Sequence, residues 1–323
     1  MKIVTPLSAV GHYIPLMKAG ADEFYSGILP IEWLKKYNMT MPINRREWFL
    51  SECNICTYTE MKILSKMVKE YQIPIKITLN SHYYVREQYP LLLDVINRLM
   101  DIGFDTFIIS DIALIEYIRK KKISCNIHLS GETEVVNHLS MSLMEKYEIT
   151  RYVFPRKITL NNMKQVISSI NKPDHEFEAF IVNSFCQYSG GLCNCIHCDY
   201  LPTTCWLNNK ITPRDKNKDK FMKVTRTLKI IEQSLQNNIS KKNANKDYIF
   251  ANSGCGVCHI DELKSIGVRY LKVVGRGHEL DSLVKDVAIV KDIINETNSY
   301  DKSKEYIIEK YHKNTCPERC YYT

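Results

Sequence analysis

The chain has 323 residues, of which 45% are hydrophobic and 25% are charged, and its formal net charge is +8. These values are typical of a globular protein with one large domain or two medium ones. Since no stretch approaches the roughly 18 apolar residues of a membrane span, we expect no membrane association and a cytoplasmic location. The positive charge is compatible with a nucleic acid partner but does not by itself indicate one.

Short apolar runs alternate with segments of helical period along most of the chain. This alternation predicts βαβ units around a parallel sheet, and a (β/α)8 TIM-like barrel fits it best. A doubly wound open sheet is the alternative, but its usual glycine fingerprint is missing from this sequence. The predicted strands are residues 2–5, 23–25, 75–78, 106–109, 124–128, 151–153, 179–182, 248–251 and 270–274. The predicted helices are residues 61–71, 91–102, 113–121, 140–147, 160–170, 262–266 and 280–294. Nine strands are one too many for the barrel, so either one of them is not a strand or one pairs outside the barrel.

Two long segments interrupt the alternation, and both follow the end of a predicted strand. Residues 28–57 form one of them. The other is a cysteine-rich insertion at residues 184–247, with a helix predicted near residues 219–236. Loops after strands build the catalytic face of barrel enzymes, so we expect the two segments to meet over the barrel mouth. We predict a barrel domain over residues 1–298 and a short C-terminal tail over residues 299–323.

The densest chemical feature is the run from Cys186 to Cys205, which holds five of the twelve cysteines and one histidine. In a reducing cytoplasm these cysteines are not expected to form a disulfide framework. Thiolates are soft ligands that suit zinc, copper(I) or iron-sulfur clusters. The run therefore predicts bound metal.

Several common site motifs are absent from the sequence. His175-Glu176 and His278-Glu279 lack the second histidine of a zincin protease, and there is no Gly-x-Ser-x-Gly elbow. The C-x3-C-x2-C spacing of radical S-adenosylmethionine enzymes is also missing, because Thr323 stands where the third thiolate after Cys316 and Cys320 would be.

Three Cys-x-x-Cys pairs are present: Cys53/Cys56, Cys195/Cys198 and Cys255/Cys258. Two such pairs often form a structural zinc ribbon. The second and third pairs are about sixty residues apart on different loops, which favours a cluster assembled from several barrel loops over a compact ribbon. Cys125, on an apolar strand, is typical of a small buried hydrophobe.

Several separated segments resemble segments of the collagenase-like peptidase family U32, and they occur along this chain in the order expected for that family. They are EAFIVNSFC at residues 178–186, GLC at 191–193, GADEFYSG at 20–27, TLN at 78–80, HLS at 128–130, PR at 155–156, and a cysteine at 255 followed by KVVGR at 272–276. The resemblance covers roughly residues 1–285. Asn183, where the family commonly has glycine, departs from its pattern.

The better understood members of this family bind an oxygen-sensitive 4Fe-4S cluster through four cysteines, so the resemblance implies such a cluster here. Carried over by position, Cys186, Cys193 and Cys255 match three of the ligands. Cys205 is our choice for the fourth ligand, in competition with Cys195, Cys198 and Cys258. Zinc is the alternative metal.

Six further residues are candidates for catalysis or substrate binding. His128, at a predicted strand end, and Glu178, at a predicted strand start, are candidate catalytic groups, although a core histidine and a structural ion pair explain them as well. Four arginines on strand-end loops could grip a dicarboxylate such as prephenate or a phosphate, because the guanidinium fork matches both. These substrate-binding candidates are Arg45, Arg46, Arg156 and Arg276. At least two must converge in one pocket for this hypothesis to hold.

The resemblance implies oxygen-independent hydroxylation, or a related redox modification, of RNA or a small metabolite, with a possible partner of the same family. The family name offers a collagenase-like peptidase as the alternative, although no nucleophile, base and orienting group can be assembled from motifs. A structural zinc-binding module is the second alternative.

Overall fold

The computed structural model describes residues 1–37, 41–47, 50–170, 175–186, 190–193, 248–297, 304–312 and 319–322. Most of the predicted cysteine-rich insertion, including the helix predicted near residues 219–236, lies outside these ranges. The predicted domain boundaries stay predictions.

In the described part of the chain, eight of nine parallel strands close into a barrel. In chain order the strands are β1 (Lys2–Pro6), β2 (Glu23–Ile28), β3 (Asn54–Ile55), β4 (Ile75–Leu79), β5 (Thr106–Ile109), β6 (Asn126–Leu129), β7 (Ile149–Val153), β8 (Glu176–Val182) and β9 (Tyr270–Val273). The hydrogen-bonded order is β1-β9-β8-β7-β6-β5-β4-β2, and a β1–β2 pairing closes the ring. The two-residue strand β3 pairs only with the end of β2 and is not part of the ring. The predicted barrel is confirmed.

The helices lie between successive strands. They are α1 (Tyr13–Lys18), α2 (Ile31–Tyr37), α3 (Leu50–Cys53), α4 (Tyr58–Tyr71), α5 (Tyr89–Ile102), α6 (Ile112–Lys120), α7 (His138–Met144), α8 (Leu160–Ser168), α9 (Ile260–Ser265), α10 (Leu280–Thr297) and α11 (Lys304–His312). Single 3-10 turns occur at residues 10–12, 86–88, 131–133, 145–147, 190–192 and 257–259.

Local sequence explains where the principal helices start and stop. The Thr57 side chain accepts a hydrogen bond from the Glu60 amide, and the Glu60 side chain returns one to Thr57, which starts α4 with a capping box. The Asp111 side chain accepts hydrogen bonds from the amides of Ala113 and Leu114 and so caps the first turn of α6. Gly103 ends α5 at a φ of 114°, a conformation that favours glycine.

The barrel interior and the helix layer differ in chemistry. Large apolar side chains such as Phe24, Ile77, Phe107 and Leu271 belong to one core cluster that also takes in the buried faces of the helices. The interior instead holds charged groups, described below. This division makes the apolar layer the main source of stability, while the strands orient polar groups along the barrel axis.

One predicted strand is wrong. Residues 248–251 form a turn, and Ala251 has a φ of 52°, which an extended strand does not allow. The apolar character of this segment comes from side-chain packing, since the Phe250 ring lies 5.4 Å from that of His312. Short apolar runs do not distinguish a strand from a packed turn. The remaining eight strands are the barrel.

Candidate active site at the barrel mouth

A buried ion-pair network fills the lower part of the barrel. Arg151 lies 2.5 Å from Glu23, 2.9 Å from Glu178 and 2.8 Å from Glu176, and Lys272 lies 2.5 Å from the second oxygen of Glu178. Burial by itself would raise the pKa of Glu178, but Lys272 and Arg151 hold that pKa below its usual value. Glu178 therefore carries a charge that is compensated on both oxygens.

The sequence placed Glu178 at a strand start, and the structure corrects this. The strand β8 begins two residues earlier, at Glu176, so Glu178 lies inside the barrel with no exposed surface. The shift arises because His175-Glu176-Phe177 is polar in part, yet its backbone continues the ladder with β7. The ion pair expected as a structural role for Glu178 is present. Its catalytic role stays a prediction.

His128 lies beside this network. Ligand atoms of Glu23, His128 and Glu178 are within 4.8 Å of one another, which makes them the one such trio of metal-ligating side chains among the described residues. The two carboxylates already have cationic partners in Arg151 and Lys272, so a metal ion would have to displace a guanidinium or an ammonium group. Burial, followed by these cations, keeps the pKa of His128 well below its usual value. The trio is therefore best described as part of the barrel core.

Above this network, the four arginines predicted to bind substrate lie on loops that follow β2, β7 and β9, and their substrate-binding role stays a prediction. Burial raises the pKa of Tyr25, whereas Arg276, Arg156 and Arg46 each lower it, so all three guanidinium groups lie around one phenol. Burial lowers the pKa of Arg46, and the positive charges of Arg156 and Arg45 lower it further. The guanidinium fork matches carboxylate and phosphate oxyanions, so anion binding here stays a prediction to be tested.

Arg276 is held in place by polar contacts from two other strand-end segments. Its Nη1 donates to Asn44 Oδ1 at 3.2 Å and to Thr78 Oγ1 at 3.1 Å. A β-carbon at Gly27 would meet this guanidinium group and the amide of Asn54, so the close approach requires glycine. Burial lowers the pKa of Arg276 to about 10, and the group is still charged at neutral pH.

Arg156 forms the other wall of the mouth. Its Nη1 lies 2.8 Å from Glu132 Oε1, and its guanidinium group stacks 4.2 Å from the ring centroid of Phe180. Burial would raise the pKa of Glu132, but Arg156 and Arg45 bring it to about 2. Glu132 is thus an acceptor that fixes the direction of the arginine side chains.

The candidate cluster ligands lie next to these arginines. Arg45 Nη2 donates to Cys193 Sγ at 3.3 Å. Burial would lower the pKa of Arg156, but Glu132 raises it, and Cys186 adds a smaller effect in the same direction. Cys255 pairs with Val182 at the end of β8, so all three thiols are carried by loops on the mouth side of the barrel. Among the candidates for the fourth ligand, Cys195, Cys198 and Cys205 lie outside the described residues, whereas Cys258 lies within them as a half-buried thiol that forms no disulfide.

Among the described residues the thiols form no compact metal-binding trio, and the identity of a bound metal or cluster stays a prediction. None of the described cysteines forms a disulfide. A tetrahedral zinc site needs its sulfurs about 4 Å apart, but within the described part of the chain no trio that includes a cysteine has its ligand atoms within 4.8 Å of one another. A four-iron cluster spans a wider gap between its thiolates. Nearby guanidinium donors also suit the negative charge of a thiolate-bound cluster.

The sequence match that decides the family is extensive. The sequence pattern of peptidase family U32 matches residues 12–319. The chain belongs to peptidase family U32. This confirms the resemblance predicted from the sequence motifs and extends it into the C-terminal tail.

Named relatives of this U32 protein include tRNA hydroxylation protein P of Escherichia coli (strain K12), which is 28% identical over 94 residues, or 29% of the chain and 20% of the relative. tRNA hydroxylation protein P1 of Bacillus subtilis (strain 168) is 23% identical over 234 residues, or 71% of the chain and 51% of the relative. The U32 chain thus aligns with about half the length of the second relative and a fifth of the first. The solved structure of the U32 peptidase Mk0906 aligns with 56% of the chain and 69% of its own length at 9% identity, with a TM-score of 0.41.

Two groups at the mouth of the U32 barrel were not predicted from the sequence. His82 follows β4, and its buried Nε2 has no hydrogen-bond partner among the described atoms. Burial and the charge of Arg45 lower the pKa of His82 to about 4, so its imidazole is neutral at pH 7. Tyr321, from the tail, stacks on Phe180 with a centroid distance of 6.0 Å. The position of His82 just after a strand could have identified it from the sequence. No feature of the sequence indicates that the tail returns to the barrel mouth.

No helix in the described ranges is long and apolar enough to cross a membrane. The cytoplasmic location stays a prediction.

Proposed function

We propose that this protein binds a 4Fe-4S cluster at the barrel mouth and takes part in the hydroxylation of tRNA. The observation that carries the proposal is the contact between Arg45 and Cys193, because it joins the anion-binding arginines and a candidate cluster thiol in one site. The names of the U32 relatives, which are tRNA hydroxylation proteins, supply the reaction and the substrate class.

Cys186, Cys193 and Cys255 would hold the cluster. When bound, the cluster would supply one-electron redox chemistry, at a potential set by hydrogen bonds to sulfur and by solvent exposure. The guanidinium group of Arg45 would tune that potential through its contact with Cys193. Cys205, predicted as the fourth ligand, stays a prediction.

Arg46, Arg156 and Arg276 would bind a small dicarboxylate such as prephenate, or a phosphate of the RNA. Both ligands present planar or tetrahedral oxyanions that match a guanidinium fork. The Glu132 carboxylate keeps Arg156 in position, and Asn44 and Thr78 do the same for Arg276. His82, neutral and with an unsatisfied nitrogen, is placed to exchange a hydrogen bond or a proton with a bound ligand. Oxygen independence and a partner of the same family are further expectations from the resemblance.

The peptidase alternative has less support. His128 has its ligand atom within 4.8 Å of those of Glu23 and Glu178, but these carboxylates are bound to Arg151 and Lys272. A base in that position has no access to a peptide, because His128 is 3% exposed. Cluster chemistry is therefore the function that the mouth supports best.

The test compares tRNA nucleosides by mass spectrometry in a strain that lacks the gene and in the same strain carrying the wild-type chain or a variant. We expect a hydroxylated nucleoside to disappear on deletion, to return with the wild type and with Cys125→Ser, and not to return with Cys193→Ser. Cys125 is a matched control, being a buried thiol that directly precedes β6, at the end of the barrel opposite to the mouth. An unchanged nucleoside profile on deletion would refute the tRNA substrate.

A further inference from the structure

The chain leaves β8 through two consecutive residues with left-handed backbone. Asn183 has a φ of 69° and Ser184 has a φ of 48°, although neither is glycine. Left-handed backbone is unfavourable for residues other than glycine, and asparagine tolerates it well because its short polar side chain can hydrogen-bond nearby. Such residues persist where the surrounding structure holds them, and they concentrate at functional sites. The contacts of Asn183 therefore determine how the chain continues from β8 to Cys186.

The side chain of Asn183 donates to two acceptors in the protein interior. Its Nδ2 lies 2.7 Å from Asp286 Oδ2 and 3.3 Å from the carbonyl oxygen of Val274. The other carboxylate oxygen of Asp286 accepts from the hydroxyl of Tyr248 at 2.8 Å. Asn183 is 5% exposed and Asp286, on α10, is 3% exposed. Because a carboxylate and a carbonyl only accept hydrogen bonds, the amide group has one satisfied orientation.

The same turn is hydrogen-bonded to the segment that carries Cys255. The three backbone amides of residues 183–185 each donate at 2.8 Å, one to the carbonyl of Gly254 and two to the hydroxyl and the carbonyl of Ser253. Cys186 directly follows the first segment, and Cys255 directly follows the second. Two of the candidate ligands thus leave from segments that are bonded to each other.

We propose that Asn183 is a positioning residue for the cluster, because its bond to Asp286 fixes the direction in which the chain runs from β8 to Cys186. This inference rests on the proposed function, since it requires that Cys186 binds the cluster. Asn183 itself would not touch the cluster. Without the bond, the turn would lose a contact that offsets its unfavourable backbone, and the Cys186 thiol would lose its fixed direction.

The experiment purifies the full chain anaerobically as wild type, Asn183→Asp, the double variant Asn183→Asp/Asp286→Asn and the control Asn126→Ala. Asn183→Asp keeps the size of the side chain but sets an acceptor against the acceptor of Asp286. The double variant restores a donor and an acceptor with their roles exchanged. Asn126 also pairs with an aspartate, with its Nδ2 3.4 Å from Asp105 Oδ2, but it is exposed at the start of β6, away from the mouth.

Three quantities are measured for each protein: the rate of iron release to a chelator, the electron paramagnetic resonance spectrum of the reduced cluster, and urea unfolding. Loss of an outer-shell contact that orients a ligand typically lowers metal affinity by about 10–100-fold, so we expect Asn183→Asp to release iron about tenfold faster than the wild type. Its resonance spectrum should shift as well. The double variant should approach the wild type in both, and Asn126→Ala should match it.

The outcomes separate a positioning role from a purely structural one. If Asn183→Asp unfolds at lower urea but matches the wild type in iron release and resonance spectrum, the inference is wrong and the cluster proposal stands. A double variant no better than Asn183→Asp also contradicts the inference, because the bond to Asp286 is then not the cause. If the wild type holds no cluster, both claims are wrong.

A second variant covers the case in which Asn183→Asp does not fold by circular dichroism. Asn183→Gly keeps the left-handed backbone accessible and removes only the side chain. Faster iron release with a shifted resonance spectrum in Asn183→Gly supports the positioning role, and values equal to those of the wild type contradict it.

Discussion

The guanidinium group of Arg45 lies 3.3 Å from the sulfur of Cys193, across 148 residues of sequence. This contact joins the connection after β2 with the loop after β8. Because both loops leave the same end of the barrel, an arginine that we propose binds an anion also contacts a thiol. The electrostatic environment of the proposed cluster is thus set by the arginine group.

Replacing Arg45 with glutamine should lower the reduction potential of the cluster. A unit charge about 7 Å from a redox centre, at an effective dielectric constant of about 20, is worth roughly 2 kcal/mol, or on the order of 100 mV for one electron. Redox titration of the anaerobic protein measures the change. Arg98→Gln is the matched control, because Arg98 is an exposed arginine paired with Glu32. Equal potentials in Arg45→Gln and the wild type would disprove this role.

Arg276→Lys should separate substrate binding from cluster binding. Lysine keeps the charge but loses the fork that contacts Asn44 and Thr78, so oxyanion recognition weakens. We expect the hydroxylated nucleoside to fall by about tenfold, equivalent to roughly 1.4 kcal/mol, while iron and sulfide content stay at the wild-type level. Mass spectrometry of tRNA nucleosides measures the yield of the hydroxylated nucleoside, and metal analysis of the protein from the same cells measures its iron and sulfide content. Unchanged nucleoside yield would remove Arg276 from the substrate site.

Glu178→Gln should destabilise the barrel. The carboxylate neutralises Arg151 and Lys272 inside the barrel, and removing one member of a buried ion pair typically costs about 3–5 kcal/mol. Urea unfolding gives the change in the free energy of unfolding. Glu148→Gln, which alters an exposed partner of Arg119, should change it by less than about 0.5 kcal/mol. A similarly small effect for Glu178→Gln would show that the ion-pair network contributes little to the free energy of unfolding.

His128 should make the protein less stable in mild acid. Its folded pKa is well below the unfolded value of 6.5, so between these values the unfolded chain binds more protons. Stability is then complete above pH 6.5 and falls, as the pH drops below it, by up to about 1.4 kcal/mol per pH unit. Asparagine does not titrate, so the free energy of unfolding of His128→Asn should fall less steeply from pH 7 to pH 5. Parallel curves for the two proteins would contradict the assignment.

Much of the fold could be predicted because parallel strands buried on both faces appear as short apolar runs separated by amphipathic helices. The one false strand, residues 248–251, has the same composition but packs through Phe250 instead of a ladder. Arg156 and Arg276 follow the ends of β7 and β9, and strand ends share one face of a barrel, so their position could be predicted while their role stays a prediction.

The rest of the site depends on contacts that no local pattern specifies. Arg151 has no motif, yet it links three glutamates inside the barrel. The pairing of Cys255 with Cys320 requires knowledge of where the tail docks, and the polar composition of the tail gives no sign of it. Long-range pairings between loops follow from the assembled barrel, so they could be found only in the structure.

The central claim is most directly tested by iron and sulfide analysis, with an absorption spectrum, of the anaerobically purified full chain. We predict about four iron and four sulfide per chain and a broad absorption band that bleaches on reduction, with both iron and sulfide lost in Cys193→Ser. One zinc per chain with no sulfide would contradict the account.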